Sequence, residues 1–143
     1  MKAITLLDTG PLVAYLNRRE HYHAWSRAQM GEVLSPLLTC ESVISEALFL
    51  LSATPVACDA IFEMLATGDL KVAMSLDDDH AQVAALIRKY ADLPMSLADA
   101  CLVRLSEAFA NSVVLTLDSH FTIYRRFGDR PLPLRLPPDR WRD

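Results

Sequence analysis

Hydrophobic positions along the chain alternate between two periods, and the elements they predict come in a repeating order. Ala3 to Leu7 is a short apolar run that ends in Asp8-Thr9-Gly10-Pro11, where Gly and Pro break the strand and Pro11 suits the first turn of a helix. Leu12, Val13 and Leu16 continue at helical spacing. His21 to Val33 reads as a weaker helix with Trp25, Ala28 and Met30 inward, and Pro36 to Thr39 as a second short strand. From Glu41 to Ser52, the residues Val43, Ile44, Ala47, Leu48 and Leu51 form a helical stripe with Glu46 at its border. A helix over Val56 to Ala66 is stopped by Gly68, and Lys71 to Met74 resembles a strand. Ser75 with Asp78, and Ser96 with Asp99, have capping-box spacing before helices that run to about Tyr90 and Ala110. Val113 to Leu117 is the clearest buried strand, and like the first it ends in an aspartate, Asp118.

Strands separated by helices imply right-handed crossovers and a parallel sheet with helices on both faces, a three-layer α/β/α sandwich. Ligands of such folds bind beyond the carboxyl ends of the strands, and two strands here deliver an aspartate to that edge. At 143 residues, 52% hydrophobic and 22% charged, residues 1–143 are expected to form one domain with a real core. Residues 129–143, rich in Pro and Arg, are expected to form an edge strand or tail. No unbroken apolar run exceeds the length of Ala47 to Leu51, far short of the roughly 20 residues of a membrane-spanning helix. Asp8 also cuts the N-terminal apolar stretch short of a signal-peptide core. Cys40, Cys58 and Cys101 lack any Cys-x-x-Cys spacing and read as buried thiols, so a soluble, cytoplasmic protein is expected.

The net charge of -4 hides an asymmetry. Residues 1–124 carry 8 basic and 15 acidic side chains, while residues 125–143 carry 6 Arg and 3 Asp. This balance neither demands nor excludes a polyanionic substrate. The four glycines are too scattered to cradle a nucleotide phosphate.

Taken singly, Asp8 and Asp118 read as helix caps, Asp99 as the returning acid of a capping box, and Glu46 as a solvated helix residue. Taken together they read differently. Asp8 and Asp118 end two neighbouring strands, while Glu46 and Asp99 sit early in helices beside apolar residues. Four acids meeting in one cleft repel one another unless a divalent cation neutralises them, and all-oxygen ligands suit Mg²⁺ or Mn²⁺. Such a site serves phosphodiester hydrolysis.

These residues carry a family resemblance. Leu6-Leu7-Asp8-Thr9-Gly10-Pro11-Leu12-Val13-Ala14, Ser45-Glu46-Ala47-Leu48, Ser96-Leu97-Ala98-Asp99-Ala100 and Leu115-Thr116-Leu117-Asp118-Ser119-His120-Phe121 match in order and spacing. Across nearly its whole length the chain resembles the PIN-domain ribonucleases, particularly the VapC-like toxins of bacterial and archaeal toxin–antitoxin pairs. The resemblance implies a metal site of Asp8, Glu46, Asp99 and Asp118 binding Mg²⁺ or Mn²⁺, supporting hydroxyls at Thr9 and Thr116, and endonucleolytic cleavage of RNA. It further implies a homodimer and, for a toxin, a small antitoxin over the acidic cleft. The Pro- and Arg-rich end from Arg125 onward is less typical of the family.

Among the remaining features, Arg18, Arg19, Arg125 and Arg126 follow the segments of Asp8 and Asp118, where they could grip RNA backbone on either side of the acids. His21 and His23 read as surface or capping residues, and His120 as structural or solvent-facing. Asp77, Asp78 and Asp79 read as first-turn acids and Asp92 as a turn residue. Tyr15, Trp25 and Phe49 read as core or dimer packing. A haloacid-dehalogenase-like phosphatase would need a second acid at Gly10, and a receiver domain a lysine later than Lys89. The alternatives are a PIN-like module that holds RNA or protein without cutting, and an RNA-processing nuclease without an antitoxin.

Overall fold

The computed structural model describes residues 2–141; Arg142 and Asp143, the last of the expected tail, lie outside the described residues. The chain runs β1 (Ile4–Leu7), α1 (Thr9–Leu16), α2 (His23–Glu32), β2 (Leu37–Thr39), α3 (Glu41–Leu50), α4 (Pro55–Thr67) and β3 (Leu70–Val72). It continues with α5 (Leu76–Lys89), α6 (Leu97–Ala108), β4 (Ser112–Leu115) and a one-turn 3-10 helix (Ser119–Thr122). β5 (Arg125–Arg126), β6 (Arg130–Pro131), β7 (Leu134–Arg135) and a last 3-10 turn (Pro138–Arg140) complete it.

Five strands form a parallel sheet in the order β3-β2-β1-β4-β7, and helices flank it in a three-layer α/β/α arrangement. Leu6 of β1 stands opposite Leu38 of β2 on one side and Val114 of β4 on the other. From β1 the chain winds outward through β2 and β3, then crosses back to β4. The carboxyl ends of β1 and β4 therefore flank the switch point, where a crevice opens in doubly wound sheets. Leu6, Leu7, Val114 and Leu115 are fully buried, as central strands covered on both faces require.

Local signals account for most boundaries. α4 begins with Pro55 and stops at Gly68, whose φ of 82° is the left-handed conformation that suits glycine. The Ser75 hydroxyl accepts from the Asp78 amide at 3.3 Å, and Asp77, Asp78 and Asp79 in the first turn of α5 oppose Arg88 and Lys89 in its last, as the helix dipole favours. Ser96 and Asp99 close the expected capping box on α6.

Several expectations need correction. α2 starts at His23, and its buried residue is Ser26, whereas Ala28 is exposed. Of the two readings of Phe49, core or dimer packing, its 78% exposure removes the core one: Val43, Ala47 and Leu51 are the inward residues of that segment, and a side chain two positions from Ala47 faces away. Glu46 lies in the middle of α3, not early in it. β4 ends at Leu115, short of Leu117, because Thr116 turns into the site described below. The expected edge strand over Arg130 to Pro138 divides. β6 pairs antiparallel with β5 as a small hairpin, and β7 extends the main sheet beside β4. Arg135 in β7 is fastened to α2 through Gln29 at 2.7 Å and Glu32 at 3.2 Å. Among the described residues, no helix is long and apolar enough to cross a membrane.

Candidate active site

The site is assembled at the carboxyl edge of β1 and β4. Asp8 follows β1 directly, and its amide still pairs with the Leu115 carbonyl at 3.0 Å, so the strand geometry carries through to it. It is the N-cap of α1: Oδ1 accepts from the Thr9 amide at 2.8 Å. Oδ2 accepts from the Thr116 hydroxyl at 2.7 Å. That hydroxyl, fully buried, also accepts from the Asp118 amide at 3.0 Å. One side chain thus sets the spacing between the two strand-end acids.

Asp118 caps the 3-10 turn through Oδ1, which receives the His120 amide at 2.9 Å and faces His120 Nδ1 at 2.8 Å. Asp99 enters from the first turn of α6, where its Oδ2 receives the Ser96 amide at 3.3 Å. The same oxygen receives the hydroxyl of Tyr124 at 3.0 Å. Tyr124 is fully buried and packs edge-on against Tyr90 and Phe121, so its hydroxyl is aimed from a fixed ring. Glu46 reaches in from α3, its Oε2 at 3.4 Å from the Thr9 hydroxyl, which donates to it. These donors use Oδ2 of Asp99, Oδ1 of Asp118 and Oε2 of Glu46.

The four acids feel one another. Burial pushes the Asp8 carboxyl up to about 7; the Thr116 hydroxyl and Thr9 amide pull it back, while the charges of Asp99 and Asp118 push it further. Asp99 is raised chiefly by burial, against its bonds from Ser96 and Tyr124, and Glu46 by burial and then by Asp99. Tyr124 is driven far above the usual phenol range by burial and by the same acids. The N-termini of α1 and α6 both point here, and their dipoles offset part of the repulsion. Among the described residues, no three acidic, histidine or cysteine side chains are grouped closely enough to cage a metal. The donor set is nevertheless hard, oxygen-only and crowded with negative charge, which fits Mg²⁺ or Mn²⁺.

Gly10 belongs to this geometry. A Cβ there would lie 3.1 Å from the Leu117 side chain, so the bare glycine lets the segment between Thr116 and Asp118 close onto α1.

The candidate cations divide. Arg126 is not beside the acids: its Nη1 donates to the Ser106 and Ala110 carbonyls at 3.0 Å, at the C-terminal end of α6, whereas Asp99 lies at the opposite end. Arg125 Nη1 donates to the carbonyls of Thr122, Ile123 and Tyr124, which close the 3-10 turn behind Asp118. Arg18 and Arg19 are exposed beyond the C-terminus of α1, about 12 Å along the helix from Asp8. His23 Nδ1 lies 2.7 Å from the Ala14 carbonyl and ties α2 to α1. Asp79 pairs with Arg104 at 3.6 Å, and Asp92 is exposed in the turn before α6.

Sequence reasoning passed over Tyr124. It is 25 residues from Asp99, and no local spacing marks a buried phenol whose partner comes from another helix.

Comparison with known proteins agrees with this geometry. The model of the PIN domain matches residues 5–126, from β1 through β5. Ribonuclease VapC26 of Mycobacterium tuberculosis is 31% identical over 127 residues, covering 86% of this chain and 93% of its own. A domain match that takes in Asp8, Glu46, Asp99 and Asp118, together with that identity over most of both sequences, shows that the chain belongs to the PIN-domain family and is VapC-like.

Proposed function

We propose that the protein is a divalent-metal-dependent endoribonuclease and the toxin of a toxin–antitoxin pair, acting as a single domain over residues 1–143. The observation that carries the reading is the Thr116 hydroxyl holding Asp8 and tethering Asp118 at the sheet's switch point, with Asp99 and Glu46 in the same electrostatic field. Asp8, Glu46, Asp99 and Asp118 would hold Mg²⁺ or Mn²⁺. When bound there, such a cation would supply Lewis-acid stabilisation of the charge on the scissile phosphate and would lower the pKa of an attacking water.

The chain's own residues do the positioning. Thr116 fixes the Asp8 oxygens and Thr9 steadies Glu46, so both carboxylates meet the phosphate in set orientations. Tyr124 and Ser96 both donate to one oxygen of Asp99 and so hold its carboxylate in a set orientation. Arg18, Arg19 and Arg125 are the candidates for RNA backbone contact, offsetting repulsion between a polyanion and an acidic pocket.

An antitoxin over the cleft, a homodimer and a cytoplasmic setting complete the proposal. The exposed side chains of Phe49, Leu50, Val56 and Phe62, at the end of α3 and on α4, supply apolar surface of the sort that protein partners cover.

The test is incubation with total RNA and Mn²⁺, mapping new 5′ ends produced by wild type and by Asp99→Ala. Discrete ends that require Asp99 support the reading. Cleavage undiminished in Asp8→Asn, with folding verified by circular dichroism, would refute it. Stoichiometric Mn²⁺ uptake without any cleavage would point to the binding module instead.

A further inference from the structure

The corner where α1 hands over to α2 holds a cavity of about 290 Å³ lined by Tyr15, Leu16, Arg18, His23 and Arg27. Its lining contains no acid among the described residues, and every polar side chain in it can donate a hydrogen bond. His23 Nδ1 donates to the Ala14 carbonyl at 2.7 Å, which covers part of the carbonyl end of α1 and leaves Nε2 as its polar atom for the cavity. Among the described residues, the side chains of Tyr15, Arg18 and Arg27 have no hydrogen-bond, ion-pair or ring partner. Other guanidiniums are engaged within the fold: Arg104 pairs with Asp79 and Glu107, and Arg135 with Glu32. Of the acids near this corner, Glu20 lies outside the lining and Asp139 accepts from the Tyr22 hydroxyl at 2.8 Å. α2 adds the positive end of a ten-residue helix that starts at His23 without an acid in its first turn.

Two permanent positive charges at one cavity repel each other until an anion comes between them. Guanidinium forks joined by a phenol hydroxyl suit an anion with several oxygens, as a phosphate has. The volume is near the lower end for small-ligand pockets, room for a phosphate and the sugar that carries it.

We propose that this cavity binds one phosphate of the RNA strand, with Arg18, Arg27 and the Tyr15 hydroxyl as its donors. The identity of the polymer rests on the nuclease reading; the phosphate chemistry rests on the donor set. Leu16 in the lining ends α1, eight residues and about 12 Å from Asp8 at the start of that helix. A strand laid along α1 crosses this distance in about three to four nucleotides at a spacing of about 3.4 Å, and in fewer when extended. The cavity therefore anchors the strand at a set reach from the acids and reads no base.

The experiment measures binding of short, 3′-labelled RNA oligonucleotides to the full chain by fluorescence anisotropy, in chelator so that nothing is cut. Arg18 and Arg27 are exposed, so their alanine variants keep the fold, as circular dichroism checks. Arg27→Ala is expected to weaken binding about tenfold, equally for oligo-U, oligo-C and oligo-A. Tyr15→Phe, which keeps the ring, is expected to weaken it several-fold, and Arg88→Ala, which removes an exposed cation of α5, to leave it unchanged. Joining Arg18→Ala to Arg27→Ala should make log Kd against log salt shallower by about 0.7, the release of one phosphate contact. An oligonucleotide with uncharged methylphosphonate linkages should bind wild type and Arg27→Ala alike. Paired oligonucleotides with a 5′-phosphate or a 5′-hydroxyl distinguish the two sources of the group: a difference seen with both assigns the cavity to an internal linkage, and one seen with the 5′-phosphate alone assigns it to the strand end. Wild-type affinity in Arg27→Ala for both oligonucleotides would overturn the proposal and leave this corner to a protein partner. So would a loss confined to one base, a loss matched by Arg88→Ala, or no RNA binding by wild type. With Mn²⁺ present, Arg27→Ala should raise KM for RNA about tenfold with a smaller effect on kcat. If wild type cuts no RNA, the nuclease reading fails, and the binding results in chelator still decide the phosphate site.

Discussion

Asp8→Asn should change the sign of its effect on stability with pH. In the metal-free protein, burial and neighbouring acids lift the Asp8 pKa from an ordinary 3.8 to about 7. At 1.36 kcal/mol per unit, that rise corresponds to about 4 kcal/mol. The folded pKa is the higher one, so the folded chain binds the extra proton between the two values. Stability is fully present below about pH 4 and is lost as pH rises through about 7. Asparagine avoids ionisation at every pH but gives up the acceptor that faces the Thr116 proton, a loss of about 1–3 kcal/mol. Urea unfolding in chelator should therefore find the variant less stable than wild type by about 1–3 kcal/mol near pH 4, and more stable by about 1–3 kcal/mol near pH 8.5. Mn²⁺ should then stabilise wild type, by about 2.7 kcal/mol at a hundred times its dissociation constant, and leave the variant nearly unmoved. Equal destabilisation at both pH values would refute the account of a strained, cation-seeking carboxylate.

Three further outcomes are expected. Tyr124→Phe removes the phenol proton from Asp99 while keeping the packed ring, so Mn²⁺ affinity by calorimetry should fall several-fold and kcat should drop with KM for RNA little changed. Arg126→Ala uncovers two carbonyls at the end of α6 and should cost about 1–2 kcal/mol in urea unfolding without altering the salt dependence of RNA cleavage, in contrast to a paired Arg18→Ala, Arg19→Ala variant, whose KM should rise. Gly10→Ala crowds Leu117 and should cost about 1–3 kcal/mol in thermal unfolding, with recovery when Leu117→Ala is added.

The fold was legible wherever a signal lies within one turn of the residue it governs. Gly68, Ser75 and Ser96 marked their helix ends because capping is a matter of three or four residues. β1 and β4 stood out because strands covered on both faces need unbroken apolar side chains. The parallel sheet between helical layers followed from alternation, and the order of its strands came from the structure. What escaped depends on partners far along the chain. The phenol on Asp99 comes from 25 residues away. Arg126 looked like a cation beside Asp118, yet the hairpin carries it to the far end of α6. Phe49 illustrates the other limit: an apolar letter beside a helical stripe does not share the stripe's burial.

The two margins of the main sheet carry a consequence for how this molecule behaves in a crowd of its own kind. β3 has three residues, one of them Lys71, and β7 has two, bracketed by Pro131, Pro133, Pro137 and Pro138. A proline has no amide proton to offer, and a two-residue ribbon gives a newcomer almost nothing to zip onto. The sheet is stoppered at both rims. Association with any partner is thereby steered away from strand addition and toward side-chain contact on the helical faces.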